Sequence, residues 1–209
     1  MGALGGQKTA EETLFKPKLY VLAVGVSKYK NPDYNLGYAA KDASDFTMVF
    51  QKQKGKLYSE VVVQLLTGVT QNDIKVTLNS LAGKAIFFVD SCHSGNALDT
   101  SKTPALGNTT DALVNELASA ENGVVVFSSS TGKQLLQENP AWGNGAFTKT
   151  VVEGLSGKAD YSKDKSGKIT HKGLDLYVTE RVKELTKGQQ SPVSISPSGV
   201  TDFPIAIVR

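Results

Sequence analysis

Ala85-Ile86-Phe87-Phe88-Val89-Asp90-Ser91-Cys92-His93-Ser94-Gly95 is the stretch from which the rest of the chain is read. Ala85 to Val89 form an unbroken apolar run between Lys84 and Asp90, which predicts a strand buried on both faces, as in a parallel sheet. The strand empties into Cys92, the one cysteine of the chain, and then into a turn of small residues. A cysteine attacks as its thiolate, and an unassisted thiol of pKa about 8.5 is only a few per cent ionised at neutral pH, so a nucleophile here needs a neighbour that takes its proton. The backbone N–H of Cys92 is a candidate oxyanion donor. Position alone leaves a second reading open, in which Cys92 is a small buried hydrophobe.

Upstream, Leu19 to Val26 reads as a buried first strand. Asn31-Pro32-Asp33 makes a turn, and Ala39 to Phe50 places Ala39, Ala43, Phe46, Val49 and Phe50 at helical spacing before a second strand, Val61 to Leu66. A strand, helix and strand in this succession predict a right-handed crossover into a parallel sheet. A further helix, Asn72 to Leu81, precedes the cysteine strand. Downstream come a small-residue loop (Asn96 to Thr109), a helix (Asp111 to Ala120), a buried strand (Val124 to Phe127), the turn Ser128-Ser129-Ser130, and a helix that runs through Leu155. The charged stretch Asp160 to Ile169 has a faint calcium-loop look. With Gly167 and Ile169 in their loop places, however, the first ligand is Ser162 and the twelfth is Gly173 instead of Glu, so a solvated charged turn is expected. His171 is expected in solvent at the start of the last helix, Gly173 to Leu185. The last strand, Phe203 to Val208, is expected at an edge because Pro204 lacks a ladder N–H.

At 209 residues and 40% hydrophobic content the chain can bury one sizeable core. One domain over residues 17–209 is expected behind a flexible leader, Met1 to Lys16. The net charge of +3 is spread along the sequence without a basic block, so no nucleic-acid partner is expected. Apolar runs are strand-sized and the N-terminus has no signal-peptide pattern, so no membrane partner and a cytoplasmic location are expected. A lone cysteine excludes an intramolecular disulfide.

The segment Val89-Asp90-Ser91-Cys92-His93-Ser94-Gly95 resembles the nucleophile motif of the caspase-like cysteine peptidases (peptidase C14), in particular the metacaspases and bacterial orthocaspases. LYVLAVGVSKYKN, LGYAAKDASDF, ENGVVVFSSSTGKQ and WGNGAFTKTVVEGL resemble other blocks of that family, in its order, across Leu19 to Leu155. The closing QQSP and FPIAIV are similar to its end. The resemblance implies a three-layer α/β fold with a mostly parallel central sheet flanked by helices. It assigns Cys92 as the nucleophile and Asp42 and Asp90 as the acids of a pocket for Arg or Lys, and places Ser128 and Ser129 at the edge of the substrate groove. Paired carboxylates suit a guanidinium or ammonium group, although Asp42 also reads as an acid favoured by a helix dipole. A basic peptide or protein substrate and a monomeric state are expected, and calcium is a cofactor the resemblance allows. Lys102 is then the one self-cleavage candidate in its loop.

Between the second strand and the cysteine strand the resemblance breaks. Family members carry there a further helix, a strand ending in His-Gly and a long connection; this sequence passes from Leu65-Leu66-Thr67 through Gly68-Val69-Thr70 directly to Asn72. The only histidines are His93 and His171, and neither matches the family's base. A strand removed between the first strand and the cysteine strand would leave a gap of roughly 9.6 Å, too costly to keep open. Leu19 to Val26 is therefore expected to pair directly with Ala85 to Asp90, in a sheet one central strand short. Three readings follow: a cysteine endopeptidase with impaired or absent turnover, a non-catalytic binding or regulatory module (a pseudoenzyme), and an internally deleted chain with no evolved role.

Overall fold

Runs of apolar, mostly β-branched residues make the central strands β1 (Lys18–Gly25), β2 (Glu60–Leu66), β3 (Ala85–Asp90) and β4 (Val124–Ser128). The structure is a computed structural model that describes residues 16–25, 35–66, 76–77, 85–90, 124–130, 134, 136–162 and 165–208. The strands form a five-stranded sheet in the order β2-β1-β3-β4-β8. Its β1–β2, β1–β3 and β3–β4 pairs are parallel, and β8 (Val193–Ile195) joins β4 antiparallel. The expected α/β architecture with a mostly parallel sheet is what forms. β1 and β3 are hydrogen-bonded neighbours in register from Tyr20↔Ala85 to Gly25↔Asp90, as their direct pairing required.

Residues Ala85 to Val89 are all buried, and alternate side chains go to the two faces. One face, with Val21, Ile86, Phe88, Val125 and Phe127, joins the main core. α1 (Ala39–Gln51) covers it with Phe46, Val49 and Phe50. The rings interlock: Phe46 meets Phe88 edge-on at 4.5 Å between centroids, and Phe88 stacks on Phe127 at 4.9 Å. α2 (Ala146–Glu153) adds Phe147 and Val151, and the π-helical turn Gly154–Lys158 that extends it adds Leu155.

α3 (His171–Leu185) packs on α2. The approach is close at Gly154, where a Cβ would stand 2.7 Å from Leu174 Cδ1. Thr170 caps α3, its Oγ1 accepting the Gly173 N–H at 3.0 Å. Thr170→Ala is accordingly expected to lower stability by about 1 kcal/mol, read as a shift in the urea midpoint at constant m; an unchanged midpoint would deny the cap its role.

Two expectations change. His171 is not solvated: it is 1% exposed, its ring 4.7 Å from that of Phe203, and Nδ1 faces both the Phe203 N–H (3.3 Å) and Asp202 Oδ1 (3.0 Å). Burial holds its pKa below the usual histidine value against the pull of Asp202. The cause lies in the helix, which starts at His171 instead of Gly173 and puts that ring on one buried stripe with Leu174, Val178 and Val182. The charged turn is not wholly solvated either. Asp160 is buried and its carboxylate accepts the N–H groups of Ser162 (3.0 Å) and Gly167 (2.7 Å), because the turn needs an internal acceptor for its backbone. The last strand, β9 (Pro204–Ile207), is an edge strand as expected: it pairs antiparallel with β7 (Lys168–Thr170) in a separate two-stranded sheet, where Pro204 sits opposite Thr170 at a register shift.

Of the helix expected over Asn72 to Leu81, Val76 and Thr77 are described and helical. Met1 to Phe15 of the leader, the loop with Lys102 and the helix Asp111 to Ala120 lie outside the described residues; Lys16 is described, its Nζ donating to the Gly55 carbonyl at 2.8 Å. No helix among the described residues is long and apolar enough to cross a membrane.

Candidate functional site

β3 ends at Asp90, and the first turn of α1 carries Asp42. Because β1 lies beside β3 and α1 crosses the face they share, the two carboxylates converge. Both line one cavity of about 440 Å³ open to solvent, walled by Ala23, Leu36, Phe46, Leu65, Phe88 and Phe147, with Thr148 as a further polar wall. The structure thus brings Asp42 and Asp90 to one cavity. Cys92 and its neighbour His93, two and three positions beyond Asp90, lie outside the described residues.

The polar setting of the pair comes from β5 (Glu138–Asn139), β6 (Asn144–Gly145) and the start of α2. Asn144 Nδ2 donates to Asp42 Oδ1 at 2.8 Å and to Asp45 Oδ2 at 2.8 Å, while the Gly145 N–H donates to Asp42 Oδ2 at 3.1 Å. A Cβ there would lie 3.1 Å from Asp42 Oδ2, a tight contact that the carboxylate would have to give way to. Lys41 pairs with Asp45 and reaches Asn144 Oδ1 at 3.4 Å, so this cation is held at the rim. Thr148 Oγ1 donates to Asp90 Oδ2 at 3.1 Å.

Burial pushes Asp42 up to about 7; the charges of Asp90 and Glu138 push the same way, and the Asn144 and Gly145 hydrogen bonds pull back. Burial likewise pushes Asp90 up to about 6, opposed by Thr148 and Ser129 and assisted by Glu138. Among the described residues no cation is a cause of either shift, and burial dominates both.

Ser128 and Ser129 stand at the end of β4 and are buried, and neither lines the cavity. Ser128 Oγ donates to the Ser130 carbonyl at 3.1 Å, and the Ser129 N–H extends the β3–β4 ladder to the Val89 carbonyl at 2.9 Å. The Ser129 hydroxyl makes no hydrogen bond of good geometry, yet is close enough to favour the charged form of Asp90. Among the described residues no group of three or more His, Cys, Asp or Glu side chains could hold a metal ion.

Residue-level reading missed Glu138, Asn144, Gly145 and Thr148. The signal was there for three of them, in the block Trp142-Gly143-Asn144-Gly145-Ala146-Phe147-Thr148, but nothing local says which carboxylate those donors serve.

The sequence matches the family model described as "Caspase domain" (peptidase C14) over residues 55–203. No curated protein sequence matches the chain. The fold is similar to that of the Drosophila initiator caspase Dronc, with a TM-score of 0.58 over 90% of this chain and 82% of that one at 8% identity. Pro-sf-caspase-1 gives a TM-score of 0.49 at 10% identity, over 90% of this chain and 95% of the other. The fold is caspase-like, with a mostly parallel central sheet and flanking helices.

Proposed function

Because the chain belongs to the caspase-domain family, we propose that it is a cysteine peptidase domain of the metacaspase or orthocaspase type, with a pocket for arginine or lysine and impaired turnover. The observation that carries the pocket is the convergence of Asp42 and Asp90 on one cavity whose remaining walls are mostly apolar. Such a site suits a long aliphatic stem with a cationic head: the stem lies on Phe46, Phe88 and Leu65, and a guanidinium fork bridges the carboxylates. A basic peptide or protein is the ligand this chemistry recognises.

The impairment follows from the sequence. No histidine precedes Cys92, and the two that exist are its neighbour His93 and the buried His171, whose Nδ1 faces Asp202 and Phe203. A second reading, a pseudoenzyme that binds basic peptides, draws on the same fact together with the pocket that Asp42 and Asp90 line. A chain with no evolved role predicts instead no cooperative melting.

The test is binding of a peptide ending in arginine, followed by fluorescence anisotropy as a function of pH. Affinity is expected to fall as pH drops from 8 to 5, since Asp42 and Asp90 take up protons near 7 and 6 and cancel the attraction. Asp42→Asn, which keeps an acceptor oxygen but loses the charge, should weaken binding roughly 10- to 100-fold at pH 8. Its effect on stability has the opposite sign. A carboxyl with a raised folded-state pKa binds more protons in the native than in the unfolded chain, so its contribution is full below about pH 4 and is lost as pH rises through about 7. The variant should therefore be at least as stable as the parent at pH 8, and its relative advantage should vanish near pH 4. Equal affinity at pH 5 and 8, or an Asp42→Asn substitution without effect on binding, would sink the basic-pocket reading.

A further inference from the structure

Glu138, on β5, holds two residues beside the pocket wall, the first of them Gly37, 101 positions before it. Its Oε2 accepts the Gly37 N–H at 2.8 Å and its Oε1 the Tyr38 N–H at 3.1 Å. Those two residues connect Leu36 to Ala39, and both Leu36 and Ala39 are walls of the cavity. Tyr38 is also the N-cap of α1 and supplies no side-chain cap of its own, so the Glu138 carboxylate completes the entry to the helix and sits at the favourable end of its dipole.

Glu138 is itself held in place. The adjacent Gln137 N–H donates to Gln190 Oε1 at 2.9 Å, and Gln190 Nε2 donates to the Ser129 carbonyl at 2.8 Å, which ties β5 to the end of β4. The Glu138 charge acts on both Asp42 and Asp90, making each harder to ionise.

We propose that Glu138 is a specificity-determining residue of the pocket: it fixes the Leu36 wall through Gly37 and Tyr38, and its charge adds to the field of Asp42 and Asp90. The pocket then selects a cationic side chain by shape and by charge together. This rests on the basic-pocket reading above, and it adds a residue that touches the bound cation only through the field and the wall.

The experiment compares a peptide ending in arginine with the same peptide ending in citrulline, its uncharged isostere, on the whole chain at pH 8. Glu138→Gln removes the charge and keeps one acceptor; it is expected to lower the arginine-to-citrulline affinity ratio about five-fold while leaving citrulline binding nearly unchanged. Glu138→Ala also removes both hydrogen bonds, and should weaken both peptides and strip hydrogen-exchange protection from the Gly37 and Tyr38 amides. If Glu138→Gln weakens both peptides equally and leaves the ratio intact, Glu138 is only structural and the proposal is overturned. If the parent chain shows no preference for arginine, the basic-pocket reading fails first. The Glu138 charge is then judged by the Asp42 carboxyl titration followed by NMR, which should move to lower pH in Glu138→Gln; an unmoved titration overturns the proposal.

Discussion

Hydrolysis of an arginine-directed fluorogenic peptide is expected to run about 10⁶-fold below that of a caspase-fold peptidase with its general base in place, the size of loss seen when a nucleophile is stripped of its base. Cys92→Ala is expected to leave this background rate unchanged. Without a general base a thiol is a few per cent ionised at neutral pH, and nothing returns a proton to the leaving amine. Losing part of the oxyanion hole removes roughly another 10²-fold. The chemical state of the thiol can be read without any substrate. The rate of alkylation by iodoacetamide should rise with pH along the curve of an unassisted thiol, centred at about 8.5. Turnover within about 10²-fold of an intact peptidase, abolished by Cys92→Ala, would refute the impairment, and so would fast alkylation at pH 6.

The largest stability effect is expected at Phe88. Its ring is 2% exposed and touches Phe46, Phe50 and Phe127 at centroid distances of 4.5, 5.5 and 4.9 Å. Phe88→Ala removes ring contacts between α1 and the sheet, and a well-packed site collapses only partly around the void, so a loss of about 3–5 kcal/mol is expected. Because Phe88 is also a wall of the cavity, the variant should bind the arginine peptide more weakly even where it remains folded. Met48→Ala, on the same helix but 51% exposed, serves as control and should stay within about 0.5 kcal/mol. Equal urea midpoints for the two variants would mean that the aromatic cluster does not carry the packing of α1.

Most strands and α1 were legible because their evidence is local. An apolar run such as Ala85 to Val89 can be satisfied only by burial on both faces, and the spacing of Phe46, Val49 and Phe50 suits one face of a helix. His171 was misread although a usable signal was present: with Leu174, Val178 and Val182 it forms a 3-4-4 spacing, one helical stripe. Its polarity suggested solvent, and the stripe decided otherwise.

By itself the sequence determined that a cysteine follows a doubly buried strand, that no histidine precedes it, and that acids stand at positions 42 and 90. Only the tertiary structure decided that these two acids share a cavity and that Glu138, Asn144, Gly145 and Thr148 set their hydrogen bonds and charge. The physical reason is range. Periodicity and propensity act over a few residues, whereas the bonds that shape the pocket join groups 58 to 103 positions apart and exist only once β1, β3 and α1 have packed.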